Sequence, residues 1–283
     1  MLILFSKITA KVPHITWKEN LTFVLVKNTF DDSNFSLLHI NACSLQNKID
    51  NLLQLLNTIK LKFTVIAISE TWANDNNQIL LNIPGYKRYL KSRSNERIGG
   101  GVAMFVKEHL SFVIRDDLDD LHCNDVDAAF INTTDNSDKI TVGVVYRPPG
   151  GDLNLFNDSY AKLLDKLVSS KCKCIIAGDF NINLLNYENH SETENFLNNL
   201  FSHLQYPVIT RPTRFCSTTS TLIDNIFVDN SCGDHHAGIF ISDISDHLPI
   251  FYISSNKLVD NNYQKIITQT YRDTSCLKNI EIF

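Results

Sequence analysis

The segment from Ile175 to Asn183 contains the side chains best suited to chemistry. A short apolar run ends at Gly178 and is followed by Asp179 and Asn181. Because residues two apart lie on the same side of an extended chain, this carboxylate and this carboxamide would stand together at the rim of a sheet. A carboxylate can deprotonate a water molecule, and an amide can hold that water or a phosphate oxygen. The pair therefore predicts phosphate chemistry, although Asp and Asn are also ordinary turn residues.

Other predicted strands also present polar side chains at their ends. Asp224 differs, since it lies inside the apolar run 222–228, where a buried carboxylate needs a partner such as His247. The further residues at strand ends are Asn41, Glu70, Tyr146, Arg147, Asp246 and His247. Strand ends that meet at one rim of a sheet form sites, so we expect these side chains to lie together.

The elements that must position these residues follow from hydrophobic spacing. Apolar residues at helical spacing predict helices over 45–60 and 156–168, and the Ser191-Glu-Thr-Glu194 capping box predicts the start of another. Short β-branched runs predict strands at 37–41, 63–69, 139–146 and 174–178. The glycines at 99–101 lack a phosphate-loop pattern and indicate close backbone approach or a bulge. Strands alternating with helices predict an α/β fold.

The acidic and amide residues predict a site for a hard cation. Four carboxylates (Glu70, Asp179, Asp224 and Asp246), two carboxamides and one histidine favour oxygen ligation of a hard cation. The His and Cys ligands of a zinc hydrolase are missing from this set. A nucleophilic arrangement of Ser245, His247 and Asp224 is conceivable, but the sequence contains no G-x-S-x-G elbow.

Composition narrows the class of protein. A chain of 283 residues, 43% hydrophobic, can bury the core of one large α/β domain. A net charge of −5 argues against a broad basic surface for nucleic acid but allows a local basic rim or a bound cation. Seven scattered cysteines, an odd number, indicate a reducing compartment and no disulfide partner. No stretch approaches the roughly 18 apolar residues of a membrane span, so we expect no membrane contact.

The order of the motifs resembles a known family. In chain order they are HINACSLQNK, ISETW, GGGVAMFV, VYRPP, GDFNIN, RPTR, STLIDNIF and SDHLPI. Over about residues 36–254 they resemble the endonuclease/exonuclease/phosphatase superfamily. The motif sequences are most similar to those of the apurinic-endonuclease-like endonuclease domain of LINE-type, jockey-like non-LTR retrotransposons. The resemblance implies a four-layered α/β sandwich, with two mixed sheets flanked by helices and a site at one rim.

The resemblance also implies a role for each matching residue. Asp179 would orient or deprotonate the attacking water, and Asn181 would hold that water and a phosphate oxygen. His247, oriented by Asp224, would face the phosphate. The metal would be Mg²⁺, with Mn²⁺ as the alternative, and the metal residues would be Glu70, Asn41 and Asp246. Tyr146 would contact the phosphate, with Thr213, Arg147 and Ser245 as further substrate-binding or supporting residues.

The implied reaction is hydrolysis of DNA phosphodiester bonds, leaving a 3′-hydroxyl that primes reverse transcription. We expect duplex DNA as the partner and an intracellular, nuclear place of action. Residues 1–35 are an unassigned extension, and 255–283 would begin a linker to a reverse transcriptase that this chain lacks, as in a fragment or a domesticated or decayed copy. Two alternatives stay open: a phosphatase or phosphodiesterase of small phosphate esters or lipids, and a non-catalytic remnant that only binds.

Overall fold

The computed structural model describes most of the chain and all the predicted site residues. The described residues are 3–6, 22–23, 34–59, 61–74, 77–93, 99–118, 121, 126–135, 138–170 and 172–254. The predicted tail 255–283 and most of the predicted extension 1–35 lie outside them. Within the described ranges, no helix is both long enough and apolar enough to cross a membrane.

Strands dominate the described part of the chain. They are β1 (Ile3–Ser6), β2 (Thr22–Phe23), β3 (Ser36–Asn41), β4 (Val65–Ser69), β5 (Tyr86–Lys91), β6 (Val102–Lys107), β7 (Phe112–Ile114), β8 (Asp127–Asp135), β9 (Asp138–Tyr146), β10 (Lys173–Asp179), β11 (Gln205–Pro207), β12 (Arg214–Phe215), β13 (Ser220–Thr221), β14 (Asp224–Asp229), β15 (His235–Phe240) and β16 (Ile250–Ser254). The α-helices are α1 (Leu45–Ile59), α2 (Leu153–Ser170) and α3 (Ser191–Ser202).

The strands form two mixed sheets and a short ribbon. The first sheet has the order β2-β1-β15-β16-β3-β4-β6-β5, and the second has the order β11-β14-β10-β9-β8-β7. In the first, β3 and β4 are parallel, and in the second, β9 and β10 are parallel. The two-stranded ribbon β12-β13 stands beside them. In the first sheet, β1 pairs with β15 and so places part of the region 1–35 in this sheet.

The two sheets face each other across a shared apolar core. Strands β3 and β4 lie against β10, and β16 lies against β14. On the outer side of the first sheet, α1 packs through Leu45, Leu52 and Leu55. Helices α2 and α3 pack against the second sheet through an aromatic cluster that includes Phe156 and Phe196. The result is the predicted four-layered α/β sandwich.

Local predictions are confirmed for most elements and corrected for two. The predicted helices 45–60 and 156–168 correspond to α1 and α2. The N-cap of α3 is His190, whose side chain accepts a hydrogen bond from the Thr193 N–H, and not Ser191 of the predicted capping box. Asp224 begins β14 and does not lie inside a strand, because the antiparallel strand enters the sheet at the rim where β10 ends.

The glycines before β6 make the predicted close approach. Gly101 has φ +77°, a backbone conformation that L side chains rarely adopt. A Cβ atom added there would lie 2.8 Å from Oγ1 of Thr71. The backbone N–H of Gly101 donates to the carboxylate of Asp127 at 2.8 Å. The backbone at Gly101 therefore packs closely against Thr71 and Asp127, just before β6, the strand next to β4.

Candidate active site

Strand register places three predicted site residues in one row of the second sheet. Asp179, the last residue of β10, is paired with Tyr146 on β9 and with Asp224 on β14. Residues directly opposite on neighbouring strands point to the same face of a sheet. Tyr146, Asp179 and Asp224 therefore form a polar row at the rim, and all three are buried.

Asn41 joins this row to the first sheet. Its Nδ2 donates to Oδ2 of Asp179 at 2.8 Å and to Oε1 of Glu70 at 2.9 Å. The carboxamide oxygen of Asn41 accepts from the backbone N–H of Cys43 at 3.1 Å. Asn41 and Asp179 are 138 residues apart, so this contact exists only because the sheets pack face to face. It brings the predicted metal residues next to the predicted base.

A tight turn after β10 brings Asn181 back onto Asp179. Asn181 has φ +47°, and its backbone N–H donates to Oδ1 of Asp179 at 3.0 Å. Its Nδ2 donates to Oδ2 of Asp179 at 3.1 Å and to the carbonyl oxygen of Arg147 at 2.8 Å. Asp179 thus accepts hydrogen bonds from both asparagines. Acceptance of several N–H groups fixes the carboxylate in one orientation.

His247 and Asp224 form a buried pair beside Asp179. Nδ1 of His247 lies 2.8 Å from Oδ2 of Asp224 and 4.0 Å from Oδ2 of Asp179. The Thr213 hydroxyl donates to Oδ2 of Asp224 at 2.7 Å and accepts from its backbone N–H at 3.1 Å. Because Nδ1 is engaged by Asp224, Nε2 is the ring nitrogen left to face a substrate.

The charges of this cluster are coupled. Burial alone would lower the pKa of His247, but the carboxylates of Asp224, Asp179 and Asp246 raise it to about 9. Burial also disfavours the ionised form of Asp224, yet the charge and hydrogen bond of His247 hold the pKa of Asp224 below its usual value. Burial and the charge of Asp224 raise the pKa of Asp179. The carboxylate that binds protons near neutral pH is therefore Asp179, as a general base requires.

Tyr146 keeps its proton beside these carboxylates. Burial, together with the charges of Glu70 and Asp179, raises the pKa of its hydroxyl, which is hydrogen-bonded to Glu70. The Arg93 guanidinium lies 5.5 Å from the centre of the Tyr146 ring and is bound by Asp127 at 2.6 Å. Tyr146 is therefore a fixed hydrogen-bond donor at the rim.

Three predicted substrate-binding residues have structural contacts in this arrangement. Thr213 is fully buried against Asp224. Arg147 is also buried, with its guanidinium donating to the carbonyl oxygens of Gly151 at 2.6 Å and Asn181 at 3.4 Å. The Ser245 hydroxyl donates to the Asn41 carbonyl oxygen at 2.8 Å and accepts from the backbone N–H of His247 at 3.0 Å. Contact of these three residues with a substrate stays a prediction.

The position of Ser245 also bears on the alternative nucleophilic arrangement. Its hydroxyl bonds to backbone groups of Asn41 and His247. A serine nucleophile would instead bond to the imidazole of its base. The structure therefore gives Ser245 the geometry of a support for the loop before β16.

Asp246 lies on the exposed side of the site. Its Oδ2 accepts from Nε of Arg214 at 2.8 Å. Cys43, an exposed thiol, lies close to Glu70, with its Sγ 3.8 Å from Oε2 of that residue, and burial together with the charges of Glu70 and Asp246 raises its pKa. The Cys43 thiol is therefore held in its neutral form beside these acidic groups.

Sequence reasoning missed two residues that contact this set. Nε1 of Trp72 donates to Oε2 of Glu70 at 3.2 Å, and 37% of the Trp72 residue is exposed. His39 lies one layer below Asn41, fully buried, with Nε2 3.2 Å from the Ser69 hydroxyl. A signal for Trp72 was present, because it stands two residues after Glu70. His39 begins the HINACSLQNK motif, but a β-strand pattern places it in the core and gave it no role.

Comparison with known proteins identifies the family. A model of the Endonuclease/Exonuclease/phosphatase family matches residues 34–247. The chain belongs to this family. The match spans every predicted site residue, from Asn41 to His247, and the family consists of nucleases and phosphatases. This member of the family is therefore a hydrolase of phosphate esters. No curated protein matches the chain.

Solved structures share the fold of this family member at low sequence identity. The endonuclease domain of TRAS1, a telomere-specific non-LTR retrotransposon, aligns with a TM-score of 0.62 and 15% identity over 78% of this chain and 98% of that domain. The AP endonuclease LMAP from Leishmania major aligns with a TM-score of 0.64 and 15% identity, over 82% and 92%. The Neisseria 3′ phosphatase NExo, bound to a product DNA hairpin, aligns with a TM-score of 0.56 and 15% identity, over 78% and 99%.

Enzymes of this family depend on divalent metal ions, and the oxygen donors of this site suit one. Glu70 is only partly buried, and together with the oxygens of Asn41 and Asp246 it offers a hard cation only oxygen ligands. Asp179, Asp224 and His247 also place ligand atoms within 4.8 Å of one another. That approach is explained by the His247–Asp224 hydrogen bond, which already occupies Nδ1. Two groups of possible ligands for a cation therefore lie at this rim.

Proposed function

We propose that this chain is a Mg²⁺-dependent endonuclease, derived from a non-LTR retrotransposon, that hydrolyses a DNA phosphodiester bond to leave a 3′-hydroxyl. The observation that carries this proposal is the position of Asp179. Its carboxylate is fixed by Asn41 and Asn181, and lies 4.0 Å from the His247 ring. A base, a cationic donor and the residues proposed to hold a cation thus lie together at one rim of the sandwich.

Asp179 and Asn181 act on the water. Asp179 accepts a proton from the attacking water, and Asn181 holds that water by hydrogen bonding. The water oxygen forms a bond to phosphorus as the bond between phosphorus and O3′ breaks. O3′ takes up a proton from solvent, so the products are a 3′-hydroxyl and a 5′-phosphate.

His247 and Tyr146 act on the phosphate. Protonated His247, held by Asp224, donates from Nε2 to a phosphoryl oxygen, and the neutral Tyr146 hydroxyl turns from Glu70 to donate to another. His247 is positioned before the substrate binds, so this donor needs little reorganisation as negative charge develops. Arg147 fixes the Asn181 turn from behind through its contacts with backbone carbonyl groups.

The cation would be held by Glu70, with Asn41 and Asp246. Bound there, Mg²⁺ supplies positive charge that stabilises the negative charge developing on phosphoryl oxygens. Mn²⁺ accepts the same oxygen ligands and is the alternative ion.

The fold similarity to the TRAS1 endonuclease domain, 98% of which is covered, supports the proposed retrotransposon origin. Duplex DNA as the substrate belongs to the same proposal. Such a nick would prime reverse transcription, and it would be made on chromosomal DNA in the nucleus. The boundaries 36–254 for the nuclease, flanked by 1–35 and by a linker from 255, belong to the same proposal.

The test is relaxation of supercoiled plasmid by the purified chain with Mg²⁺, with Mn²⁺ and with EDTA. We expect nicking with either cation and none with EDTA. A folded chain that leaves plasmid intact but hydrolyses a small phosphate ester would replace the endonuclease by the phosphatase alternative. A folded chain that hydrolyses neither would support a non-catalytic remnant.

A further inference from the structure

Two buried polar atoms next to the candidate site have no hydrogen-bonding partner among the described residues. They are Nδ1 of His39 and Oδ1 of Asp224. Both side chains are almost completely buried, with 1% of each residue exposed. Buried polar atoms are normally paired, either with protein or with an ordered water molecule, because an unpaired one costs about 1–3 kcal/mol. Each of the two atoms therefore needs a hydrogen-bonding partner.

Strand geometry brings the two residues toward each other. On β3, Leu37 belongs to the core between the sheets, so His39 and Asn41, two and four residues further on, point to the same side. Asn41 reaches Asp179 across the gap, and Asp179 is the register partner of Asp224. His39 thus lies one layer beneath the Asn41–Asp179 contact, facing the sheet that holds Asp224.

Electrostatic coupling agrees with this placement. His39 and Asp224 each influence the pKa of the other, and His39 is also coupled to His247. The other hydrogen-bonding atom of each of these two side chains is already occupied. Oδ2 of Asp224 is bound by His247 and Thr213, and Nε2 of His39 lies 3.2 Å from the Ser69 hydroxyl. What remains is a donor position on His39 and an acceptor position on Asp224.

We propose that His39 is a positioning residue for the His247–Asp224 pair, and that it acts through one buried water molecule held between its Nδ1 and Oδ1 of Asp224. The Ser69 hydroxyl donates to Nε2, which leaves the ring proton on Nδ1 and directed at the water. The water donates to Asp224. Both oxygens of the Asp224 carboxylate are then bound, so the carboxylate cannot rotate away from His247.

This inference rests on the proposed nuclease activity for its kinetic test, and three substitutions separate its parts. His39→Asn retains an amide N–H near the position of Nδ1, whereas His39→Gln retains one near Nε2, and His39→Leu retains neither. The exposed residue His109, in the turn after β6, provides the matched control His109→Leu. Substitution of a residue that supports a side chain of a site typically lowers activity about ten- to a hundred-fold. We therefore expect His39→Leu and His39→Gln to lower kcat by about that factor, with little change in KM.

His39→Asn is expected to recover most of the wild-type kcat. Equal losses in His39→Asn and His39→Gln would overturn the proposal, since a purely structural role does not distinguish the two ring nitrogens. Values of kcat within about twofold of wild type in all three variants would also overturn it. If His39→Leu does not fold, the Asn and Gln variants carry the comparison.

A second measurement is independent of activity. In a high-resolution crystal structure of the wild-type chain, we expect a water molecule within hydrogen-bonding distance of both Nδ1 of His39 and Oδ1 of Asp224, and its loss in His39→Gln. A protein group hydrogen-bonded directly to Nδ1 of His39 or to Oδ1 of Asp224, with no water molecule between the two atoms, would overturn the proposal. If the wild-type chain shows this water molecule but nicks no plasmid, the inference about His39 stands and the proposed endonuclease activity is rejected.

Discussion

Nδ1 of His247 donates to Oδ2 of Asp224 at 2.8 Å inside the protein, where 4% of the His247 residue and 1% of Asp224 are exposed. A hydrogen-bonded ion pair at such a position is costly to break, because either group alone would be a buried uncompensated charge. The pair therefore couples the protonation of the site to the stability of the whole sandwich.

The stability of the fold should depend on pH through His247. Its pKa is raised from 6.5 to about 9 in the folded chain, so the folded state binds the proton more tightly than the unfolded state. The stabilisation is fully present below pH 6.5 and is lost as the pH rises through about 9. A shift of this size corresponds to roughly 3 kcal/mol. We expect the difference in unfolding free energy between wild type and His247→Gln, measured in urea, to shrink by that order across this interval. The exposed residue His109 provides the matched control, His109→Gln.

The rate of cleavage should have a bell-shaped dependence on pH. On the acid side, kcat/KM should rise as Asp179, whose pKa is raised by burial and Asp224, loses its proton and becomes a base. On the alkaline side, kcat/KM should fall near pH 9 as His247 loses its proton. His247→Gln should lower the rate and abolish the alkaline fall. A fall that persists in the variant would assign it to another group.

Trp72 should report binding of a cation at Glu70. The chain has two tryptophans, Trp17 and Trp72, and Nε1 of Trp72 is hydrogen-bonded to Oε2 of Glu70. Because a cation bound by Glu70 competes for that oxygen, Mg²⁺ should change the tryptophan emission in a saturable way. We expect Trp17→Phe to preserve the change, and Trp72→Phe and Glu70→Gln to remove it. A full signal in Glu70→Gln would place the cation elsewhere.

Arg147 should contribute to the rate of cleavage without contacting the substrate. Lysine cannot reach the Gly151 and Asn181 carbonyl oxygens together as the guanidinium does. We expect Arg147→Lys to cost about 1–3 kcal/mol of stability. We also expect it to lower kcat about tenfold or more, because the Asn181 turn loosens. KM should change little. The matched change Arg115→Lys, at an ion pair with the exposed Asp117, should leave kcat unaltered. A rise in KM alone would instead favour substrate contact.

The sequence predicted well what depends on neighbouring residues. The apolar spacing of α1 and α2 and the rim position of Asp179 follow from local periodicity, which the chain records directly. The start of β14 at Asp224 could not be predicted in this way. A carboxylate within an apolar run is taken to lie inside a strand until the partner strand is known. The His190 cap of α3 was likewise missed, because Ser191 is the commoner capping type.

Contacts across the two sheets were beyond sequence reasoning. Asn41 and Asp179 meet over 138 residues, and only the packing of two sheets brings them together. His39 was missed for the same reason, since its place beside the second sheet depends on that packing. Trp72 differs, because it contacts Glu70 two residues away, and what the sequence did not give was the direction of its side chain. The motif order supplied the set of polar residues, whereas their hydrogen bonds required the fold.

The most direct test of the account is the chemistry of the ends that wild type and Asp179→Asn produce on supercoiled plasmid. After incubation with Mg²⁺, a DNA polymerase and labelled nucleotide are added without any phosphatase treatment. We predict label at nicks made by the wild-type chain and by Asp158→Asn, an exposed aspartate on α2, and none with Asp179→Asn or EDTA. Intact plasmid with a folded wild-type chain, or nicks labelled only after removal of a 3′-phosphate, would contradict the assignment of this site to hydrolysis that leaves a 3′-hydroxyl.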